Sequence, residues 1–196
     1  MNKDNYHHGN LKEAIISEAL RLLALQSRKE LSFRLISRNI GVVSSAPYNH
    51  FKDKDQLLQE IIIVGRKKLF KIIKTAKSKS NLPSEQLLLV AKSYLKFALE
   101  EKTLFNLMFS ETNIDLIFLT DKIVVQFSRI ISEKFKAGKR VNLTEKGSAI
   151  AAWSMIHGIA TIINKSNISL LESRLEIKLE NIYKEMSAIW GKGVSK

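Results

Sequence analysis

"GVVSSAPYNHFKDKDQLLQEI", Gly41 to Ile61, decides how this chain is read. A glycine reaches left-handed backbone at no steric cost, so Gly41 can end the helical stripe before it. Small residues and a proline follow, then Tyr48, Asn49, His50 and Phe51 crowd together ahead of Lys54. Proline is tolerated in a helix only in the first turn, where its missing N–H would have had no partner. With Ser44 or Ser45 as cap, Pro47 falls in such a turn, and a short helix from about Ser44 to Phe51 is predicted. Upstream, Ser32 can cap a helix whose inner positions are Phe33, Ile36, Ser37 and Ile40. Two short helices joined at a glycine make a helix-turn-helix, a motif whose second helix can enter the major groove.

The pattern continues outward in both directions. Leu11, Ile15, Ala19, Leu22 and Leu23 form one face of a first helix, with Asn10 placed to cap it. Asp53 can cap a helix from Lys54 to about Lys77. "KSKSNLPSEQ" then breaks the chain, and longer helical patterns follow: Pro83 to Glu101, Thr103 to Glu111, Ile114 to Lys136, Thr144 to Asn164, and Leu170 to Gly191. Only two prolines and eight glycines occur, and apolar residues recur at spacings of three and four. The predicted fold is all-α: a small N-terminal unit over 1–53 and a larger helical unit over 54–196.

Composition narrows the function. A hydrophobic fraction of 45% over 196 residues supports a buried core. No apolar run approaches the roughly 20 residues of a membrane span, and the polar N-terminus carries no secretory signal. The absence of cysteine excludes disulfides and thiolate metal sites, and fits a cytoplasmic protein. The net charge is +13, and seven basic side chains against one acidic fall between residues 56 and 80. Such an excess favours polyanions, whether nucleic acid or an acidic membrane surface. The lysine run from Arg66 to Lys79 has no tryptophan anchor, and it reads as a solvated helix face. An enzyme would need a nucleophile with its base, paired carboxylates, a metal cluster or a Gly-rich phosphate loop. None stands out, so no catalytic residue, metal or cofactor is assigned. His7 and His8 lack ligand partners at metal spacing and read as an arm near the partner.

"YHHGNLKEAIISEALRLL", the helix-turn-helix and "APYNHFKDKDQLL" together resemble the DNA-binding domain of TetR-type transcriptional regulators over about residues 6 to 65. Tyr48, Phe51, Lys54 and Leu57 reproduce that family's Tyr-x-x-Phe-x-x-Lys-x-x-Leu spacing, and "WSMIHG" resembles a branch with a C-terminal Trp-x-x-x-His-Gly signature. The resemblance implies that Tyr48, His50 and Lys54 hold phosphates, where such groups fix register without reading bases. It places Ser44, Ser45 and Asn49 where base edges are read, and asparagine suits adenine. Arg34 is implied beside the groove, and Phe51 as the buried anchor of the reading helix. Val43, Asn49, Ser27 and Ile40 depart from the usual family residues, which implies an operator of its own.

The same resemblance implies a homodimer that binds double-stranded DNA, a repressor released from a palindromic operator by a small, largely apolar effector. Phe97, Phe105, Met108, Phe109, Phe118, Trp153 and His157 are the candidate cavity residues, although a helical core contains such side chains in any case. The last two long helices would pair with their twofold mates as a four-helix bundle, with Ala149, Ala151, Ala152, Gly158 and Ala160 as a small-residue surface.

Overall fold

The computed structural model describes residues 11–110, 115–137, 144–166 and 168–193. Its elements are α1 (Leu11–Leu25), α2 (Phe33–Ile40), a 3₁₀ turn (Ala46–Asn49), α3 (Lys54–Lys77), α4 (Pro83–Glu100), α5 (Lys102–Met108), α6 (Leu116–Ala137), α7 (Glu145–Lys165), α8 (Ile168–Leu175) and α9 (Leu179–Gly193). The all-helical reading holds. Asn10, His7 and His8 lie outside the described residues. No helix among the described residues is long and apolar enough to cross a membrane.

Local chemistry sets the boundaries. Ser32 is extended, and its hydroxyl accepts from the Leu35 N–H at 3.2 Å, opening α2. Gly41 closes it in left-handed conformation at φ +74, and the Val42 N–H reaches back to the Ser37 carbonyl at 3.0 Å. At the start of α3, Asp53 accepts from the Gln56 N–H at 2.8 Å while the Gln56 side chain accepts from the Lys52 N–H. Two orphan donors are thus satisfied reciprocally. Thr144 caps α7 through the Gly147 N–H at 3.1 Å.

α1, α2 and the 3₁₀ turn form one end of the molecule, and α3 leads from it into the larger helical unit. There α4 packs on α3 and α7, and α6 lies along α7. One apolar core runs through both parts, from Ile15 and Phe51 through Leu58 and Leu69 to Tyr94 and Phe127. α3 and α5 approach closely at Gly65. A Cβ there would lie 2.5 Å from Met108 Sδ and 2.7 Å from Leu104 Cδ1, so only glycine fits without a shift.

Two elements differ from the sequence reading. The segment expected as a helix from Ser44 to Phe51 is one 3₁₀ turn, Ala46–Asn49. Its N–H groups at Tyr48 and His50 bond three residues back, to Ser45 and Pro47, and Pro47 supplies no N–H of its own. The helix expected from Leu170 to Gly191 is two, parted at 176–178. Glu176 turns left-handed at φ 53, the Ile177 N–H bonds the Glu172 carbonyl at 3.2 Å, and the Glu172 carboxylate accepts from the Leu179 N–H at 2.8 Å. This is the same helix-ending motif as at Gly41, built without a glycine.

Candidate nucleic-acid interface and effector site

The N-terminal end of the molecule, with the 3₁₀ turn, is built on Phe51 and Pro47, both buried. Phe51 lies among α1, α2 and α3, with the Phe33 ring 6.4 Å away and the Lys12 ammonium 5.7 Å over its face. This anchor, with Ala46 also buried, leaves Tyr48 and Asn49 of the turn outward. Arg34, Ser44, Ser45 and Asn49 are exposed, and Tyr48 is 61% exposed while its ring stands edge-on against Phe33 at 4.9 Å. His50 is half-buried beside Phe51. Lys54 is half-buried too, and its ammonium donates to the Arg28 carbonyl at 3.3 Å. Val43, at the entrance to the turn, is 72% exposed.

A shallow concavity beside this surface is lined by Ser32, Arg34, Leu35, Arg38, Val42 and Ser44. Arg38 was not singled out from sequence, yet it lies one helical turn after Arg34 on the same exposed face. Neither guanidinium forms an ion pair with a described residue. The i, i+4 spacing was the available signal. Two fixed cations beside exposed hydroxyls and an exposed carboxamide can bind a phosphate backbone and reach base edges.

The second cluster lies inside the larger unit, on α4, α5 and α7. Phe105, Phe109, Trp153 and His157 pack together: the imidazole stacks on the indole at 5.1 Å, and Phe109 and Phe105 lie 4.5 and 5.5 Å from it. Phe97 meets Phe105 at 6.5 Å. Met108 is buried, and its sulfur lies beside Gly65. Phe118 belongs to α6, and its side chain lies outside the described residues.

Tyr94 is the member that sequence reasoning missed. It is fully buried, its oxygen accepts from the Trp153 indole N–H at 3.4 Å, and it lies 3.0 Å from His157 Nδ1. A tyrosine on the buried face of an amphipathic helix needs a partner for its hydroxyl, and that was the signal to follow. Burial pushes the Tyr94 phenol well above its usual range and lowers His157, so both are neutral near pH 7.

Two apolar pockets lie beside rather than within this cluster. One is lined by Leu87, Leu88, Ala91, Ala152, Ile156, Tyr183 and Met186 between α4, α7 and α9. The other is lined mainly by isoleucines of α7, α8 and α9. The small-residue surface expected on α7 divides in two. Ala149, Ala152 and Ala160 face the protomer's own core, whereas Ala151 and Gly158 are exposed with Ile150 and the 52%-exposed Ile162. Among the described residues no group of three or more His, Cys, Asp or Glu converges as metal ligands would.

Residues 15–61 match the profile described as "Bacterial regulatory proteins, tetR family". No curated protein matches the chain significantly. Among solved structures, a protein of unknown function from Rhodococcus sp. RHA1 aligns with a TM-score of 0.82 at 23% identity, covering 99% of this chain and 100% of its own. The TetR family transcriptional regulator PfmR from Thermus thermophilus aligns at 0.70 and 18% identity, covering 93% and 99%. AibR, solved in complex with isovaleryl coenzyme A and operator DNA, aligns at 0.60 and 17% identity, covering 76% and 85%. The N-terminal segment thus matches the tetR-family model over residues 15–61, and the chain as a whole has the fold of these solved structures, a TetR family regulator among them.

Proposed function

We propose that this protein is a sequence-specific DNA-binding transcriptional regulator, a homodimeric repressor that a small molecule releases from a palindromic operator in the cytoplasm. The observation that carries the reading is the braced 3₁₀ turn. Phe51 and Pro47 fix it from within, and Ser44, Ser45, Tyr48 and Asn49 project from it beside Arg34 and Arg38. In this reading Ser44, Ser45 and Asn49 read base edges, while Arg34, Arg38, Tyr48, His50 and Lys54 hold phosphates. Domain division follows the same logic, with the reading unit over 1–53 and the effector and dimer unit over 54–196.

Dimerisation is supported by the outward face of α7. Ile150, Ala151, Gly158 and Ile162 expose an apolar stripe, and a Cβ at Gly158 would meet nothing within 4 Å in the protomer. A glycine inside a helix costs about 1 kcal/mol relative to alanine. Close approach by a second copy explains its presence. Release would pass through α5, which carries Phe105, is followed at once by Phe109, and presses on α3 at Gly65. An effector held among those aromatics moves the two reading ends apart only if it binds the released state more tightly, by a few kcal/mol.

The deciding experiment selects random duplexes on the purified protein at two salt concentrations. A palindromic site with half-sites about 34 Å apart, bound by two chains, is expected. Salt-sensitive binding without any motif would reduce the interface to its charge and overturn the reading.

A further inference from the structure

α7 carries Trp153, His157, Thr161 and Asn164 along one ridge, at spacings of four, four and three. The neighbouring inward positions are apolar, so this line is the polar seam of the effector unit. Its hydrogen-bonding capacity is unevenly spent. The indole N–H of Trp153 can only donate, so the Tyr94 oxygen accepts it and gives its own hydrogen to His157 Nδ1. That fixes the tautomer and leaves His157 an N–H at Nε2, which has no partner among the described residues. Thr161 gives its hydrogen to the His157 carbonyl at 2.9 Å.

Asn164 closes the ridge and is the anomaly. It is 2% exposed, and neither its Oδ1 nor its Nδ2 has a partner among the described residues. Gln26, Ser37, Gln86 and Ser148 each leave a single buried atom unmet; of the described residues Asn164 alone leaves two. Buried polar groups in native proteins are paired almost without exception, and one side chain with both ends unmet calls for a partner.

We propose that the effector carries a flat apolar end and an uncharged carboxamide-like arm. The apolar end lies against Phe109 and Trp153 and offers an acceptor to His157 Nε2–H. The arm meets both ends of the Asn164 carboxamide, seven residues and about 10 Å further along α7. This inference rests on the regulator reading above and names the chemistry of its effector. A hydrocarbon would leave Asn164 as it is. A carboxylate would lose its hydration with no counter-charge supplied by these side chains, because the described hydrogen bonds of Tyr94, Trp153, His157 and Thr161 are all to neutral groups.

The test uses the full chain and ω-benzoyl alkanamides with two to six methylene groups, so that length is scanned rather than guessed. Controls replace the amide by methyl or by carboxylate, and binding is read from the shift in Tm and from tryptophan quenching. At the best length the amide is expected to bind roughly tenfold tighter than the methyl analogue. Asn164→Leu, or Asn164→Ala should the first not fold, is expected to abolish that preference. Equal binding of amide, methyl and carboxylate, binding at no length, or a preference that survives at Asn164 variants would overturn the proposal. Retention on operator DNA is measured on the same samples. An amide bound through Asn164 that leaves the protein on DNA upholds this site and sinks the inducer reading alone.

Discussion

The reading end and the effector unit are assembled from the same caps and apolar stripes, yet they turn their polar side chains in opposite directions. At the reading end the buried groups are aromatic and aliphatic apart from Ser37, and Arg34, Arg38, Ser44, Ser45 and Asn49 face solvent. In the effector unit Tyr94, Trp153 and His157 point inward among rings, and Asn164 is buried on the same helix as the last two. The first arrangement costs nothing until a large, hydrated partner arrives, which suits a polyanion. The second carries desolvation within the fold, which suits a small partner that must shed its water to enter.

That contrast breaks first at Phe51. Phe51→Ala empties the hub on which the reading turn rests and is expected to cost about 3–5 kcal/mol. Because one apolar core joins the two parts, urea unfolding should stay a single transition moved to lower urea. Two separated transitions would mean that the reading end unfolds alone and that the shared core couples the parts weakly.

Gly65→Val tests the joint between them. The added side chain must displace Met108 and Leu104, and a cost of about 3 kcal/mol is expected from overpacking. Its sharper readout is operator affinity. If α5 pressing on α3 sets the separation of the reading ends, affinity falls further than the stability loss predicts once the protein is kept folded.

Tyr94→Phe leaves the Trp153 N–H and His157 Nδ1 without their shared partner, and an expected loss of about 2 kcal/mol follows. The pH dependence of the same cluster has a definite sign. The unfolded chain titrates His157 near about 6.5, and burial lowers the folded value. As pH falls below about 6.5 the unfolded state takes up the proton first, so stability drops until the lowered folded value is passed. Above about 6.5 this contribution is complete. Thermal scans from about pH 7.5 down to 5.5 should show the decline, and His157→Phe should remove its part of it.

Legibility follows the same division. Gly41 and Glu176 end their helices by the same motif, but only Gly41 announced it: glycine at that position is a local signal, whereas Glu176 is held left-handed by the Glu172 bonds to Leu179 and Lys178. Asp53, Ser32 and Thr144 were legible as caps because capping is settled within four residues. The 3₁₀ form of the reading turn was not legible, since Pro47 permits either helix type in its first turn. In the effector unit the aromatics were visible, but their convergence depends on how α4, α5 and α7 cross. Tyr94 lies 63 residues from His157, and no local pattern links them. Asn164 looked like the polar end of a helix until its burial was known.

The smallest expected effect on stability is also the most informative for the reading end. Asn49 is exposed and none of its side-chain atoms is engaged with a described residue, so Asn49→Ala should leave unfolding within about 0.5 kcal/mol of the parent. Its effect should appear only with DNA, as a change in preferred base worth about 1–3 kcal/mol at one position of each half-site. Tyr48→Phe with Lys54→Ala should do the opposite: weaken all sequences alike and flatten the salt dependence. Because Lys54 already donates to the Arg28 carbonyl, its share of that flattening should be the lesser one, and Arg38→Ala should exceed it. If Asn49→Ala weakens every duplex equally, the carboxamide holds backbone rather than base, and the exposed serines beside it are left to read the operator.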